Sequence, residues 1–569
     1  MKSVSALKTS SVASSPAAPP QGGRHGSFFP FDRLPAIGVD RLAILASLFF
    51  SIVCNHLFFS AALAQRDWSQ PSSWLFAIAI FVALTALQGL GLLIVLNRWS
   101  AKPLLTVLLI VTAAATYYMD KYTVFFNSEM VRNILRTDVK EASELFSLSF
   151  CIHMTLYGIL PSLLVWKLRL KKIPLRRAAL TRLAYIVGAL VITGGSIMLV
   201  FQDFSSLMRN QKEVRFLITP SNYLFSLARV VAADTAQANK PKIPISADAH
   251  MAASWQQRTK PMLFVLVVGE TTRAANWGLN GYAHQTTPEL SKLDVINFTH
   301  ATSCGTNTEV SVPCMFSTYG RHNYDETAIR AHESLLHVID HAGVKTLWRD
   351  NQAGCKGVCE GLEQQLLGDS KNAALCDSER CLDGILLDGM DGEIQKAKNG
   401  NLFVVLHMLG NHGPAYYKRY PPSMRVFTPT CDTADLSKCT KEEIVNAYDN
   451  GVLYTDHFLA KTINYLKTQT TYDTAMLYLS DHGESLGEHG IYLHGLPYSI
   501  APKEQTQIPM VMWMSQGFTS SFGINKDCMG KLANTPVSHD NLFHSILGML
   551  QIESKYYDKS LDLSAGCRS

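Results

Sequence analysis

The sequence predicts a two-part protein, with a five-helix transmembrane domain at the N-terminus and an α/β domain with a largely parallel sheet at the C-terminus. Five apolar runs lie within the first 201 residues, and short β-rich runs alternate with helical patterns after residue 260. Charged residues make up only 17% of the chain, against about 25% in an average soluble domain. This composition excludes a disordered chain and disfavours a purely soluble enzyme.

Each apolar run is long enough to cross a membrane. The runs are Leu42–Ala64, Trp74–Leu96, Pro103–Met119, Leu148–Trp166 and Leu183–Phe201. A helix of about 20 residues spans a hydrocarbon core of ~30 Å. Buried core helices are the alternative, but five such runs so close together favour a membrane domain over residues 39–203. The preceding residues 1–38 are rich in Ser, Ala, Pro and Gly and are predicted to form a disordered cytoplasmic tail without a signal-peptide pattern.

The distribution of charge predicts the orientation in the membrane. Residues 1–210 carry 20 basic and 9 acidic side chains, whereas the remainder carries 31 and 37. The loop Lys167–Arg182 alone holds seven Lys or Arg and no acid. The positive-inside rule places this loop and the N-terminus in the cytoplasm and everything after Phe201 outside. The basic excess therefore reflects membrane topology, and no nucleic-acid partner is expected.

The cysteines support an exported second half. Ten of the twelve follow residue 300, and eight of these form close pairs in the sequence, while Cys528 and Cys567 remain as a fifth pair. The close pairs are Cys304/Cys314, Cys355/Cys359, Cys376/Cys381 and Cys431/Cys439. An even number of closely spaced cysteines outside the cytoplasm predicts disulfide bonds. Free thiols or zinc knuckles are the alternative.

The exported half divides into a connector over residues 204–260 and a folded domain over 261–569. Short strands are predicted at Met262–Gly269, Thr346–Trp348, Leu402–Met408, Ala475–Ser480 and Ile508–Trp513, with helical patterns such as Glu326–Ala342 and Ile444–Lys467 between them. Short buried strands that alternate with helices are typical of an α/β fold.

Carboxylates and imidazoles follow three of these strands. Glu270 follows the first, Asn411-His412-Gly413-Pro414 follows another, and Asp481-His482-Gly483-Glu484 follows a third, with His489 and His494 soon after. Sites of open α/β sheets form at the carboxyl ends of strands. Imidazole with carboxylates predicts Zn²⁺, with Mn²⁺ as the next choice. Glu270, Asp481 and His482 would supply three protein ligands and leave a fourth position open, as in catalytic sites.

A hydroxyl-rich segment between two cysteines is the candidate nucleophile region. It runs from Ser303 to Cys314 and contains Thr306, Thr308 and Ser311. A hydroxyl at a helix N-terminus feels the positive end of the helix dipole, and a nearby metal would favour its alkoxide. The residues alone do not choose among the three hydroxyls, and a plain capping segment is the alternative.

Taken together, these motifs resemble the lipid A phosphoethanolamine transferase family. The resemblance rests on Gly269-Glu270-Thr271-Thr272-Arg273, the Cys304–Cys314 segment, Asn411-His412-Gly413-Pro414, Asp481-His482-Gly483-Glu484-Ser485, Gly487-Glu488-His489-Gly490 and His494. The family belongs to the alkaline phosphatase/sulfatase superfamily and includes the mobile colistin-resistance enzymes. The match covers nearly the whole chain, and it implies a sulfatase-like fold for the C-terminal domain.

The resemblance also implies roles for individual residues. Thr308 matches the nucleophile and completes the zinc sphere of Glu270, Asp481 and His482, while His412 and His494 match residues that bind a second zinc or the substrate phosphate. Lys356 matches a substrate-binding lysine. One tight zinc site is therefore expected, and a second is left open.

The implied reaction transfers phosphoethanolamine from phosphatidylethanolamine to lipid A or the lipopolysaccharide core through a phosphothreonine. The implied location is the inner membrane of a Gram-negative cell, with the catalytic domain in the periplasm. The added ammonium would weaken the attraction of cationic peptides. A phosphoglycerol transferase of the same superfamily is the nearest rival. A transporter or sensor with a metal-stabilised outer domain is disfavoured because the five spans contain almost no charge.

The outer loop between the third and fourth spans is the candidate donor-binding segment. From Ser128 to Phe146 it reads as one amphipathic helix, on which Asn133, Thr137 and Glu141 recur at i, i+4 and i+8 and so share one face. The pattern also resembles the donor-lipid segment of the family. Glu141 is expected to face the ammonium of the headgroup, and a solvated polar stripe on an interfacial helix is the alternative.

Overall fold

The computed structural model describes residues 36–137, 139–237, 240–397 and 400–568. Most of the predicted tail therefore lies outside the described residues. At its end, Ile37 forms a parallel bridge with Leu170 in the loop that follows the fourth predicted span.

The described N-terminal half is helical. Its helices are α1 Val39–Val53, α2 His56–Leu63, α3 Pro71–Val95, α4 Ala101–Tyr122, α5 Ser128–Arg136, α6 Val139–Glu144, α7 Leu148–His153, α8 Leu160–Lys167 and α9 Leu175–Leu199. A π-helical turn, Met154–Ile159, joins α7 to α8. Within the described ranges, four helical stretches are long and apolar enough to cross a membrane, and a fifth span results if the bent pair α1–α2 counts as one.

The first apolar run is bent by 55° between α1 and α2, a break that the sequence did not predict. The side-chain amide of Asn55 donates to the Phe50 carbonyl at 2.8 Å and to the Thr219 carbonyl at 2.7 Å. In return, the Thr219 hydroxyl donates to the Cys54 carbonyl at 2.6 Å. Backbone groups freed by the break are thus satisfied within the protein, as an apolar surrounding requires.

The prediction of one helix from Ser128 to Phe146 is wrong. The segment forms two helices, α5 and α6, and Thr137 ends the first with extended backbone (φ −66°, ψ 133°). Its hydroxyl donates to the Asn133 carbonyl at 2.8 Å, which satisfies an end carbonyl of α5. Asn133, Thr137 and Glu141 therefore do not share one helical face.

The connector region contains two further helices, α10 Phe201–Asn210 and α11 Ser221–Gln237. Helix α11 packs against α5. The connector thus touches the segment that follows the third apolar helix.

An eight-stranded sheet organises the C-terminal half. The strands of this half are β1 His250–Met251, β2 Met262–Gly269, β3 Ile296–Thr302, β4 Lys345–Asp350, β5 Gln364–Leu366, β6 Leu402–His407, β7 Asp473–Ser480, β8 Ser485–Leu486, β9 Tyr492–Leu493, β10 Gln507–Met514, β11 Val537–Ser538 and β12 Ile552–Glu553. The order in the large sheet is β11-β3-β10-β7-β2-β6-β4-β5. Only β10 runs antiparallel to its neighbours, so the sheet is largely parallel, as predicted.

Helices cover both faces of this sheet. They are α12 Thr308–Met315, α13 Glu326–Ala331, α14 Leu335–His341, α15 Met390–Lys396, α16 Lys441–Thr468, α17 Lys503–Thr506, α18 Gln516–Ser521, α19 Lys526–Leu532 and α20 Asp540–Met549. Alternate residues of β2 enter two separate cores, Phe264 and Leu266 on one side and Leu263 and Val265 on the other. Burial on both faces explains why the strand is continuously apolar.

Candidate metal centre and active site

Two neighbouring strands of the sheet end beside each other at the centre of the site. Glu270 follows β2, and Asp481 and His482 follow β7, with Gly269 and Ser480 paired in register. All three side chains are fully buried. Parallel pairing therefore brings these residues, which are about 210 positions apart in the chain, to one edge of the sheet.

The three side chains aim their polar atoms at one another. His482 Nε2 lies 3.3 Å from Glu270 Oε1 and 3.3 Å from Asp481 Oδ2. Both of those carboxylate oxygens are buried and have no hydrogen-bond donor among the described residues. Buried oxygens without donors are rare unless an ion or water takes them. The ligand atoms of the three residues lie within 4.8 Å of one another, so the set fits a divalent cation.

The electrostatics of this cluster also fit a cation. Burial would raise the pKa of Glu270, but the His482 imidazole holds it well below its ordinary value. Burial and the Glu270 charge raise the pKa of Asp481 well above its ordinary value. The two ionised carboxylates would repel each other in this buried site, and a bound Zn²⁺ would stabilise the ionised form of both.

Thr308 lies at the first position of helix α12 and faces the cluster. The helix begins there because the Asn307 side chain accepts a hydrogen bond from the Val310 amide at 3.0 Å. Thr308 Oγ1 donates to Glu270 Oε2 at 2.9 Å and lies 3.4 Å from His482 Nε2. The hydroxyl is therefore at the positive end of a helix and in contact with two of the predicted ligands.

The other two candidate hydroxyls of the segment point elsewhere. Thr306 Oγ1 donates to the Leu496 carbonyl at 2.6 Å, and Ser311 Oγ donates to the Asp481 carbonyl at 2.5 Å. Both are engaged with backbone. Of the three hydroxyls that the sequence left open, the structure brings Thr308 to the side chains of the cluster.

His412 and His494 form a second group with Glu270, again with ligand atoms within 4.8 Å. His412 follows β6, and His494 follows β9. His412 Nε2 pairs with Glu141 Oε1 at 2.9 Å. Burial would lower the pKa of His412, but the Glu141 carboxylate raises it to about 10. His489, also considered from the sequence, is exposed and belongs to neither group.

The three residues of the predicted donor stripe line one cavity, although they do not share a helical face. The cavity has a volume of about 520 Å³ and is lined by Asn133, Thr137 and Glu141 together with His412 and His494. Most of its remaining wall is apolar and comes from α4, α5, α11 and the start of α7. A polar end beside an apolar wall is the arrangement that a lipid headgroup and its chains require.

Lys356 lies away from this cavity. Its backbone is in the left-handed region (φ 52°), and Nζ donates to the Ala353 carbonyl at 3.4 Å. The side chain lines a different cavity, which it shares with Arg132 and Arg330. Lys356 is therefore not among the residues that line the donor cavity, and its predicted role in substrate binding stays a prediction.

Sequence reasoning gave no role to several residues that hold the site. Glu484 is fully buried, accepts a hydrogen bond from Tyr416 Oη at 2.6 Å, and pairs with His494 Nδ1 at 2.7 Å. Gln352 Nε2 donates to Glu270 Oε2. Glu484 belongs to the motif after β7, so its acidic character two residues after His482 was the available signal.

Five disulfide bonds join the ten cysteines that follow residue 300. They are Cys304–Cys314, Cys355–Cys359, Cys376–Cys381, Cys431–Cys439 and Cys528–Cys567. Cys54 and Cys151 are in no disulfide. The Cys304–Cys314 bond links the strand-following loop to the end of α12, and so encloses Thr308.

Two family models match the chain. Residues 80–235 match the model described as phosphoethanolamine transferase EptA/EptB, and residues 263–552 match the sulfatase model. These matches confirm the predicted fold class, a transmembrane helical domain followed by a sulfatase-like α/β domain.

Characterised relatives are similar over almost the full length. The chain is 37% identical to phosphoethanolamine transferase EptA of Escherichia coli K12, covering 94% of this chain and 98% of the relative. It is 35% identical to phosphatidylethanolamine transferase Mcr-1 of Escherichia coli, covering 93% and 97%. The solved integral membrane lipooligosaccharide phosphoethanolamine transferase A of Neisseria meningitidis superposes with a TM-score of 0.88 at 37% identity, over 94% of this chain and 100% of that one.

Proposed function

Because this chain belongs to the phosphoethanolamine transferase family, we propose that it transfers phosphoethanolamine from phosphatidylethanolamine to lipopolysaccharide through a phosphothreonine at Thr308. The chain is a multi-pass membrane protein with a soluble catalytic domain. We place it in the inner membrane of a Gram-negative cell with that domain in the periplasm. The acceptor is a phosphate of lipid A or a sugar of the inner core.

The contact of Thr308 with Glu270 and His482 carries this proposal. A single hydroxyl, at the N-terminus of a helix, meets a buried group of metal-ligand type. Glu270, Asp481 and His482 would hold a Zn²⁺ ion together with Thr308, and His412 and His494 would hold a second ion or the substrate phosphate. When bound, zinc supplies positive charge that favours the ionised hydroxyl and offsets the charge on the transferred phosphoryl group.

In the first step the Thr308 oxygen attacks the phosphorus of the donor. A bond forms between Oγ1 and phosphorus, and the bond from phosphorus to the diacylglycerol oxygen breaks. The hydroxyl proton leaves along the hydrogen bond to Glu270 and passes to water, because the low pKa of Glu270 keeps that carboxylate ionised. The diacylglycerol oxygen takes one proton from His412. Burial lowers the pKa of His412, but the Glu141 carboxylate raises it by more, to about 10, so the imidazole is protonated at neutral pH.

In the second step an acceptor oxygen attacks the same phosphorus, and the bond to Thr308 Oγ1 breaks. Thr308 regains a proton from water. If the acceptor is a hydroxyl, its proton returns to His412. If the acceptor is a phosphate dianion, His412 takes its proton from water. Both routes restore the starting protonation of the site.

The location of the cavity supports a lipid donor. Its polar end holds Glu141, His412 and His494, and its apolar wall includes residues of α4, an apolar helix long enough to span a membrane. The Glu141 carboxylate can face the ammonium of a zwitterionic headgroup, and the imidazoles can face its phosphate. A diacylated donor could therefore keep its chains in the bilayer while its phosphorus reaches Thr308.

Mass spectrometry of lipopolysaccharide tests the proposal. Cells that carry the chain should add phosphoethanolamine to lipid A or core, whereas cells with no chain or with Thr308→Ala should not. Addition of phosphoglycerol instead would establish the rival transferase. Unmodified lipopolysaccharide in cells that contain the folded, zinc-loaded wild-type protein would contradict the proposed acceptor.

A further inference from the structure

Helix α5 separates two cavities of opposite character. Ser128, Arg132 and Arg136 recur at i, i+4 and i+8 on one face and line a cavity of about 410 Å³. Asn133 and Ile134 line the apolar donor cavity on the other side of the helix. We call the 410 Å³ cavity the basic groove.

Three arginines of the basic groove are fixed by carboxylates. Arg132 pairs with Asp234 at 3.2 Å and also with Glu326, and its side chain is only 4% exposed. Arg136 pairs with Asp234 at 3.3 Å, and Arg330 pairs with Glu326 at 3.3 Å. These pairs join α5, the connector helix α11 and the catalytic-domain helix α13 into one wall of the groove.

The same wall is attached to the nucleophile helix. Glu309 is the residue after Thr308, and its side chain is completely buried. Its Oε1 lies 2.5 Å from Arg136 Nη1 and 3.0 Å from Arg330 Nη2. The arginines of the groove thus bind the side chain of Glu309, which directly follows Thr308 in the chain.

Four further cations line the groove, and three of them have no carboxylate within ion-pair distance among the described residues. Arg229 and Lys240 make no ion pair with any described residue, and Lys242 is 3.9 Å from the exposed Glu360. Lys356 donates only to a backbone carbonyl. Seven cations thus face four carboxylates, Asp234, Glu309, Glu326 and Glu360, which leaves a net excess of three positive charges.

The positive excess of the basic groove suits a doubly charged ligand better than a zwitterionic one. A zwitterionic phosphodiester gains little from an excess of cations. A phosphate monoester carries nearly two negative charges near neutral pH and gains much more.

We propose that the basic groove binds a phosphate monoester of the acceptor lipid while the donor occupies the other side of α5. This inference rests on the proposed transferase function and adds to it a separate acceptor site. It assigns the two lipids by charge: the zwitterionic donor to the apolar cavity with Glu141, and the polyanionic acceptor to the arginines and lysines.

The test uses full-length protein in vesicles and follows the two half-reactions separately. The variant is Arg229→Gln, Lys240→Gln, Lys242→Gln, which removes three cations and leaves the paired arginines in place. Release of diacylglycerol without acceptor, which reports formation of the phosphothreonine, should equal wild type. The KM for a phosphorylated lipid A acceptor should rise about tenfold, because exposed or partly exposed cations each contribute modestly and are screened by salt.

A matched control removes the same charge elsewhere. Lys461, Lys467 and Lys531 are exposed on helices α16 and α19, and none is in an ion pair with a described residue. Their replacement by Gln should leave the acceptor KM unchanged. An equal rise in the control, an unchanged KM in the groove variant, or an equal loss of diacylglycerol release would overturn the acceptor site. If wild type forms no phosphothreonine at all, the proposed function itself fails, which this assay separates from failure of the groove.

Inorganic phosphate distinguishes a free anion from a lipid-borne one. Competitive inhibition of wild type that weakens in the groove variant would show that the groove accepts phosphate from solution as well. Absence of inhibition, with the acceptor KM still dependent on the three cations, would assign the groove to the lipid-borne phosphate. An acceptor lacking its phosphate monoesters should show no difference between wild type and the groove variant, and a tenfold difference there would overturn the proposal.

Discussion

The role of Glu484 gives the sharpest prediction about the imidazoles of the site. Its carboxylate is fully buried and accepts from Tyr416 Oη at 2.6 Å while it lies 2.7 Å from His494 Nδ1. A carboxylate only accepts hydrogen bonds, so Nδ1 carries a proton, and in the neutral imidazole Nε2 is then the nitrogen with the lone pair. In Glu484→Gln the amide group can instead donate to Nδ1, which would move the proton to Nε2 and block its use as a metal ligand.

The size of the effect follows from the loss of one charge-assisted hydrogen bond in a buried site. Such a bond contributes about 1.5–3 kcal/mol. If that energy is needed in the transition state, the rate should fall by about 10-fold to 150-fold. A loss of about 10-fold to 100-fold is also typical when the partner of a ligand histidine is removed.

Single-turnover formation of the phosphothreonine, followed by mass spectrometry, measures this effect. Tyr416→Phe is the control, since it removes the other hydrogen bond to Glu484 but leaves the His494 tautomer unchanged. It should lower the unfolding temperature and keep turnover close to wild type. Wild-type rates in Glu484→Gln, or an equal loss of rate in Tyr416→Phe, would refute the reasoning.

Four further perturbations have defined outcomes. Thiol reagents applied to the native, non-reduced protein should reach at most Cys54 and Cys151, and ready labelling of the later cysteines would contradict the disulfides. Chelation should abolish activity and Zn²⁺ should restore it; Asp481→Asn with His482→Ala should lose the metal, whereas His412→Ala or His494→Ala should lose turnover more than tight zinc. The double variant Asn133→Ala, Thr137→Ala leaves the Glu141–His412 pair intact and should slow phosphothreonine formation from vesicles. Addition of Glu141→Gln should slow it further. Unchanged donor kinetics in the triple variant would contradict the donor-site hypothesis. Burial would raise the pKa of Asp350, but the His407 imidazolium at 2.7 Å lowers it from 3.8 to about 2. The ion pair therefore stabilises the folded protein above pH 4, and this stabilisation is lost as the pH falls toward 2. The free energy of unfolding of wild type should exceed that of Asp350→Asn by about 2 kcal/mol above pH 4, and this difference should vanish near pH 2.

The sequence predicted the centre of the site because that centre depends on strand ends. Strand β2 has the predicted bounds, and its continuous apolar pattern identifies it as buried on both faces. Once the strands are known to be parallel and adjacent, Glu270, Asp481 and His482 must meet at their carboxyl edge. Local pattern and a topology rule are sufficient for that conclusion.

The helix breaks at Asn55 and Thr137 could not be predicted from local pattern, and the predicted helix Glu326–Ala342 is likewise divided, into α13 and α14. The break at Asn55 is stabilised by Thr219, which is 164 residues away in the chain. The end of α5 at Thr137 interrupts a periodic amphipathic pattern, and a hydroxyl that bonds back to its own helix gives little signal in the sequence. Strand β3 was also missed, because its polar residues weaken the β pattern.

The supporting residues depend on the complete fold. In the sequence, nothing distinguishes Glu484 from the other acids of its motif. Its role becomes visible only in the fold, where Tyr416 and His494 contact its carboxylate. The basic groove is likewise assembled from α5, α11, α13 and the Lys356 loop, which are far apart in sequence. Charge counting along the chain detects an excess of cations but not their convergence.

Peptide mass spectrometry of Thr308 tests the central claim most directly. The purified, zinc-loaded protein is incubated with phosphatidylethanolamine vesicles without acceptor, quenched and digested. We predict that the peptide containing Thr308 carries phosphoethanolamine, that the label leaves when lipopolysaccharide is added, and that the Thr308→Ala peptide is unmodified. Phosphoethanolamine on another residue, or transfer to lipopolysaccharide by folded Thr308→Ala at the wild-type rate, would contradict the account.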